Sequence, residues 1–280
     1  MEFGEFVGFD ATCRVRARCR QMSNPFYTPG EQRAAQVNAL FATIARRYDL
    51  INDLQSIGQH RYWKRRVVAL AQVSPGLCAL DVCCGTGDLS FALAEQGAET
   101  IGLDFNEPML TVAKAKVQSL KSRAPIPEPA TPPVQPPAVR RPPKFIVGNA
   151  MQLPFPDASF DIVTVGYGLR NLARWEIGLA EMARVARPGG RLLVLDFGKP
   201  DNALWRAIYF GYLRLIVPVF GLLFARRADA YAYILESLKH YPAQRGVEAK
   251  MHDLGLNHVQ VISFLGGAMS INLGQKASPA

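Results

Sequence analysis

Apolar and polar positions change their spacing several times along this chain, and the changes mark its elements. Short, continuous apolar runs occur at 78–82 (CALDV), 100–103, 144–147, 160–165 and 191–196. Runs of that length, closed by turn residues, predict strands buried on both faces. Between them, 89–95, 109–120 and 175–186 place apolar residues at helical spacing, and Gly189-Gly190 predicts a turn before the last of these strands. Strand and helix in alternation predict a parallel, doubly wound sheet. Upstream, 37–48 and 62–71 read as amphipathic helices that lie outside the sheet and cap its ligand-binding edge. The rhythm changes at the end. A helix is predicted over 247–254, followed by two alternating runs, HVQVISF and AMSINLG, around Leu265-Gly266-Gly267. That is a hairpin signal.

Composition bounds the picture. The 280 residues are 49% apolar and 20% charged, ordinary values for a globular chain, which exclude wholesale disorder and a small disulfide scaffold. Five cysteines, two of them adjacent at Cys83-Cys84 and none in a C-x-x-C pair, form neither a disulfide framework nor a zinc pattern; they fit a reducing compartment, and no metal is expected. The net charge is +9. Arginines alternate at Arg14, Arg16, Arg18 and Arg20. A solvated tail or an anionic surface accounts for such a front end. No nucleic-acid-binding signature accompanies it, so no nucleic-acid partner is expected.

Three segments stand apart. Residues 1–21 form a basic leader without an apolar core, set aside as disordered or as preceding a natural start at Met22. Residues 122–143 form an insertion holding nine of the 20 prolines; proline at that density excludes helix and central strand and predicts an extended surface loop. Residues 207–225 are strongly apolar, but Arg214 and Pro218 interrupt them. The expectation is two short helices covering an apolar cavity or resting on a membrane, since a mid-span arginine is costly. The remainder, 22–280, reads as one domain with cap helices over 36–72 and apolar lid helices over 202–240.

The candidate chemistry sits at the strand ends. In LDVCCGTGDLS, residues 80–90, a strand ends at Asp81-Val82, a turn follows at Gly85-Thr86-Gly87, and a helix begins. Glycine lets backbone approach a ligand, and the helix start offers N–H groups. Dinucleotide enzymes share such a turn, but here Ser90 stands where their third glycine would be. An acid at Asp81 suits a cationic, phosphate-free ligand such as S-adenosylmethionine, or it caps the turn. Asp104, 17 residues after Gly87, can accept ribose hydroxyls. Asn149 with the Ala150 backbone, after the third predicted strand, can read an adenine edge. The fourth strand opens into VGYGLRN. The parallel sheet with its antiparallel finish is the layout of the class I, Rossmann-like methyltransferase fold.

The chain resembles the ubiquinone/menaquinone-biosynthesis C-methyltransferase family over about 37–276. The resemblance is carried by ARRYDLINDLQSIGQHRYWKR, VGYGLRN, LLVLDFGKP and YAYILESLKHYP, and LDVCCGTGD with GYGLRN is most similar to the menaquinone branch. It implies S-adenosyl-L-methionine as methyl donor, contacted by Thr86, Asp104, Asn149 and Ala150. Gly166 stands where some members have serine. It implies C-methylation of a reduced, prenylated quinone precursor, demethylmenaquinol to menaquinol, by a cytoplasmic enzyme peripheral to the inner face of the membrane, with a homodimer left open. A polyprenyl-methoxybenzoquinol of ubiquinone biosynthesis is the other acceptor. Ring carbon needs an electron-rich, phenolate-like ring. Arg170 and Asn171 are the candidates to stabilise its oxygens, with Tyr48 and His60 in the motif that closes over the substrate. Competing readings are an O- or N-methyltransferase for another small aromatic, a nicotinamide dehydrogenase, an RNA methyltransferase and a non-catalytic assembly subunit.

Overall fold

The computed structural model describes residues 31–45, 48–56, 58–122, 141–225 and 229–278. The basic leader and nearly all of the proline-rich insertion lie outside them. The elements in chain order are α1 (Glu31–Ile44), α2 (Tyr48–Ser56), α3 (Gln59–Ala71), β1 (Cys78–Val82), α4 (Asp88–Glu95), β2 (Glu99–Asp104), α5 (Glu107–Lys121), β3 (Lys144–Val147), β4 (Phe160–Gly166), a 3-10 turn at Leu169–Asn171, α6 (Trp175–Val185), β5 (Ala186–Phe197), α7 (Ala203–Ala225), α8 (Asp229–His240), α9 (Ala243–Asp253), β6 (Leu256–Phe264) and β7 (Met269–Lys276).

The seven strands form one sheet in the order β3-β2-β1-β4-β5-β7-β6. The ladders from β3 to β5 are parallel, and β7 runs antiparallel to both β5 and β6. The expected hairpin is present, with Phe264 opposite Met269 across the short turn. The chain leaves β1 toward β2 and β3 on one side and returns to place β4 on the other. The reversal opens a crevice beyond the carboxyl ends of β1 and β4, where open α/β sheets bind ligands.

The short apolar runs become central strands because both faces are covered. Leu80, Val82, Val163 and Val165 pack toward Leu179, Met182, Val247 and Met251 of α6 and α9. Ala79, Ile162, Leu193 and Leu195 pack toward Trp63, Val67, Leu89 and Leu93 of α3 and α4. So α3, read from sequence as part of the cap, is a sheet-face helix; its apolar stripe at 63, 67, 68 and 71 finds the larger apolar surface there. The predicted helix over 37–48 ends at Ile44, and Tyr48 starts the separate α2.

The apolar segment differs from expectation more sharply. It is one 23-residue helix, not two. Proline has a helical φ of its own; its lost bond and ring crowding at the carbonyl four residues back are local costs of about 3 kcal/mol, set against many retained turns. Tyr209 and Leu213 of α7 join Val37 of α1, Leu238 of α8 and Ala268 in a third apolar cluster, which fixes the cap over the sheet rim. Among the described residues, no helix is long and apolar enough to cross a membrane.

Candidate active site

A hollow, part of it open to solvent, lies at the crevice, the place where such sheets bind small molecules. Cys83 and Gly85 line it from the turn after β1, and Asp104, Phe105, Asn106 and Met109 from the end of β2 and the start of α5. Gly166, Tyr167, Gly168, Asn171 and Leu172 line it from β4 onward, and Val37, Phe41 and Tyr48 come from the cap. No lysine or arginine is among these lining residues.

The glycine turn is built as the sequence implies. Gly85 and Gly87 have φ of +55° and +85°, the left-handed region open to glycine, and a Cβ on Gly87 would lie 2.5 Å from the Phe145 ring. Asp104 braces the turn. One carboxylate oxygen accepts the Gly85 N–H and the other the Asn106 N–H, both at 2.8 Å. Burial raises the Asp104 pKa against the pull of these amides. Each oxygen keeps acceptor capacity beyond its one amide, and the side chain lines the hollow. Gly166 also lines it, and a Cβ there would meet only Leu89, at 3.8 Å, so a serine fits.

Asp81 is placed differently. It lies beneath the turn, where Ser90 Oγ donates to one carboxylate oxygen at 2.6 Å and Thr164 Oγ1 to the other at 3.1 Å. Burial pushes its pKa up to about 6, against the two hydroxyl donors. Ser90 thus replaces the third glycine of a dinucleotide turn for a reason: it ties α4 to the end of β1. Thr86 is buried, and its hydroxyl donates to Asp49 of α2 at 2.6 Å. Asn149 is exposed, and its side-chain oxygen accepts the Met151 N–H at 2.9 Å. The neighbouring Ala150 is buried. Asp81, Thr86, Asn149 and Ala150 are not on the wall of the hollow.

The four residues expected to act on the substrate separate into two pairs. Tyr48 and Asn171 line the hollow. Tyr48 packs edge-on against Phe41 at 5.9 Å, and burial pushes its phenol up to about 12, so it is a donor at neutral pH. Asn171 Nδ2 donates to the Tyr167 carbonyl at 3.2 Å. Arg170 turns inward. It is buried, pairs with Asp196 at 2.6 Å, donates to the Tyr167 carbonyl at 2.7 Å, and stacks on Phe197 with 4.7 Å to the ring centroid. A guanidinium in a water-poor interior goes where a carboxylate and carbonyls satisfy it, so it braces the wall from behind.

His60 is a second correction. It lies at the start of α3, away from the hollow, with Nδ1 and Ser56 Oγ hydrogen-bonded at 2.9 Å and Nε2 3.6 Å from Asp53. Burial and then Lys64 lower its pKa, Asp53 opposing. The folded state therefore holds fewer protons on this ring than the unfolded chain, and its contribution weakens as pH falls through about 6.5. His60→Asn is expected to keep turnover within about threefold while flattening the loss of thermal stability between pH 7 and 5, as acid-base kinetics and melting curves would show.

Sequence reading passed over the groups that hold the cap down. Lys116 bridges Asp49 at 2.7 Å and Asp88 at 2.9 Å, and Lys64 reaches Asp88 at 2.9 Å. Asn106 caps α5 through the Met109 N–H and donates to the Asn38 carbonyl of α1 at 2.9 Å. The Asn106 cap is legible in N-E-P; its reach to α1 is not.

The comparisons with known proteins agree with this geometry. The sequence model described as the ubiE/COQ5 methyltransferase family matches residues 29–276. The chain belongs to the ubiE/COQ5 methyltransferase family. It is similar to the demethylmenaquinone methyltransferase of Bacillus licheniformis, 37% identical over 249 residues that cover 88% of this chain and 99% of that one. It is similar also to that of Staphylococcus aureus strain JH9, 36% identical over 244 residues, covering 86% and 93%. Among solved structures, a SAM-dependent methyltransferase from Aquifex aeolicus superposes with a TM-score of 0.50 at 16% identity, covering 76% of this chain and 88% of that one. The [4+2]-cyclase SpnF does so with 0.55 at 16% identity, covering 88% and 97%. The last two establish the class I fold alone; a cyclase on the same frame illustrates that fold does not fix reaction. Membership of the ubiE/COQ5 family makes this chain a methyltransferase.

Proposed function

We propose that this ubiE/COQ5 family member transfers the methyl group of S-adenosyl-L-methionine to a ring carbon of a reduced, prenylated naphthoquinone precursor, converting demethylmenaquinol to menaquinol. The observation that carries the reading is the lining of the hollow. It has a carboxylate, Asp104, on the β2 side, and hydroxyl and amide donors, Tyr48 and Asn171, on the other. A buried carboxylate at the end of β2 suits the ribose and positive charge of a sulfonium nucleoside. The two demethylmenaquinone methyltransferases above support the choice of ring.

The donor fits the residues present. Asp104 would hold the ribose hydroxyls, and the Gly85-Thr86-Gly87 turn would admit the amino-acid end. Phe105 and Met109 offer an apolar wall. Asp81, through Ser90, and Thr86, through Asp49, keep the turn in shape. When bound, the sulfonium supplies a methyl group already activated for transfer, so the protein's work is alignment and exclusion of water. Tyr48 donates to a ring oxygen. Asn171 holds the second oxygen or a water beside it. Burial raises Tyr48, Cys83 and Tyr167, so these stay protonated donors at neutral pH; the phenolic proton leaves through the open mouth of the hollow before the methyl group arrives, and the ring C–H proton then shifts to that oxygen as aromaticity returns.

Mass spectrometry of quinones after incubation with methyl-labelled donor and reduced demethylmenaquinone tests the reaction. A methyl group on ring carbon is expected. A methoxy product, or label only in a polyprenyl-methoxybenzoquinol offered alongside, overturns it.

The acceptor's isoprenoid tail calls for contact with the inner face of the cytoplasmic membrane. Leu204, Ile208 and Leu215 of α7 are 73%, 53% and 66% exposed at helical spacing, beside Leu265 at 59%, an apolar stripe suited to the interface of a bilayer. Leu204→Glu with Leu215→Glu is expected to lower turnover of long-tailed acceptor at least tenfold in vesicles and to leave a tail-less acceptor within twofold. Equal loss on both removes the membrane reading. A change in oligomeric state instead assigns the stripe to a homodimer.

A further inference from the structure

Tyr167 carries two features that folding alone does not explain. Its backbone has φ of +63°, a conformation that an aromatic residue rarely adopts and that clusters at functional sites. Its hydroxyl is buried and has no hydrogen-bond partner among the described residues, a state that few native polar groups occupy. Specific bonds hold this backbone in place. The Tyr167 N–H donates to the Leu195 carbonyl at 2.7 Å, and its own carbonyl accepts Arg170 at 2.7 Å and Asn171 at 3.2 Å. The ring leans on Phe197, 5.8 Å between centroids, and the residue lines the hollow between Gly166 and Gly168.

We propose that the Tyr167 hydroxyl donates a hydrogen bond to a ring oxygen of the bound quinol. The assignment rests on the quinol reading above. The geometry favours the acceptor over the methyl donor. Tyr167 shares the β4 and cap side of the hollow with Asn171 and Tyr48, whereas Asp104 and Phe105 approach from β2. A hydroxyl donor beside a ring oxygen favours the phenolate that must form before ring carbon attacks the methyl group, and so raises the population of the reactive ring. Burial keeps this phenol protonated, as a donor must be. Arg170 then acts as a positioning residue: it holds the carbonyl whose placement aims this ring. A bond to the quinol gives this hydroxyl the partner it lacks among the described residues.

Tyr167→Phe deletes the oxygen and keeps the ring. With reduced demethylmenaquinone, kcat is expected to fall about 10- to 100-fold, KM to stay within about threefold, and the Kd for S-adenosyl-L-methionine by calorimetry to stay within about twofold. The variant melts no lower than the parent, because the lost oxygen had no partner. A kcat within twofold of the parent, or a loss matched by weaker donor binding, overturns the assignment. Failure of the parent enzyme to methylate this ring overturns the quinol reading instead, and the assignment with it. Should the variant not fold, a structure of the parent with a tail-less naphthohydroquinone decides: Oη within hydrogen-bond reach of a ring oxygen supports the assignment, and a wider separation overturns it.

Discussion

Asp104→Ala is expected to weaken S-adenosyl-L-methionine binding at least 100-fold, measured by calorimetry, and to remove turnover at ordinary donor concentrations. Two losses coincide. The ligand's ribose hydroxyls lose a charged acceptor, a type of bond worth about 1.5–3 kcal/mol. The Gly85 and Asn106 amides lose theirs as well, so the glycine turn and the start of α5 are no longer held at the spacing the ligand spans. A hundredfold change corresponds to about 2.7 kcal/mol, within reach of either loss. Asp104→Asn separates them. It keeps one carbonyl acceptor but turns a donor toward one of the two amides, so about tenfold weakening is expected. A donor affinity unchanged in Asp104→Ala would refute the placement of the ribose on this side of the hollow.

Arg170→Ala is expected to produce the largest fall in stability. It leaves Asp196 buried without its partner; breaking a buried pair from one side costs about 3–5 kcal/mol, on the order of 10 °C in melting temperature for a chain of this size. The defect has a pH signature. Burial already raises the Asp196 pKa, with Arg170 pulling against it. Without the guanidinium the folded carboxyl takes up a proton more readily than the unfolded one. The folded variant is therefore favoured toward low pH, and its stability falls as pH rises from about 4 toward the raised pKa. The gap between Arg170→Ala and the parent should be smaller at pH 5 than at pH 8. Asp196→Asn in the same chain should restore part of the loss. A gap independent of pH would mean that the charge pair is not what holds this wall.

Arg170 also illustrates the limit of motif reading. In G-Y-G-L-R-N it sits beside residues that line the hollow, and a sequence offers no way to tell an arginine aimed at substrate from one aimed inward. The direction follows from Asp196, at the end of a different strand, and from the Phe197 ring. Tyr167 sits in the same run, and a tyrosine between glycines predicts only a turn. Its strained backbone is held by Leu195 of β5, which takes its N–H, and by Arg170 and Asn171, which donate to its carbonyl. His60, expected in the motif that closes over the substrate, is held elsewhere for a related reason. Its partners, Ser56 and Asp53, are near in sequence, and the helix junction takes the ring before the substrate can.

What the sequence determined by itself was whatever depends on the spacing of neighbours. Strands buried on both faces, the alternation with helices, the closing hairpin, the glycine turn and an acid after β2 are all written in intervals of a few residues, because burial and backbone conformation act locally. What only the tertiary structure decided was direction. Asp81 goes under the turn to Ser90 and Thr164, Arg170 goes inward to Asp196, and α7 stays a single helix whose outer stripe remains uncovered. A polar side chain at a strand end can satisfy itself on either side of the rim, and the choice belongs to groups that only the folded chain brings within 3 Å.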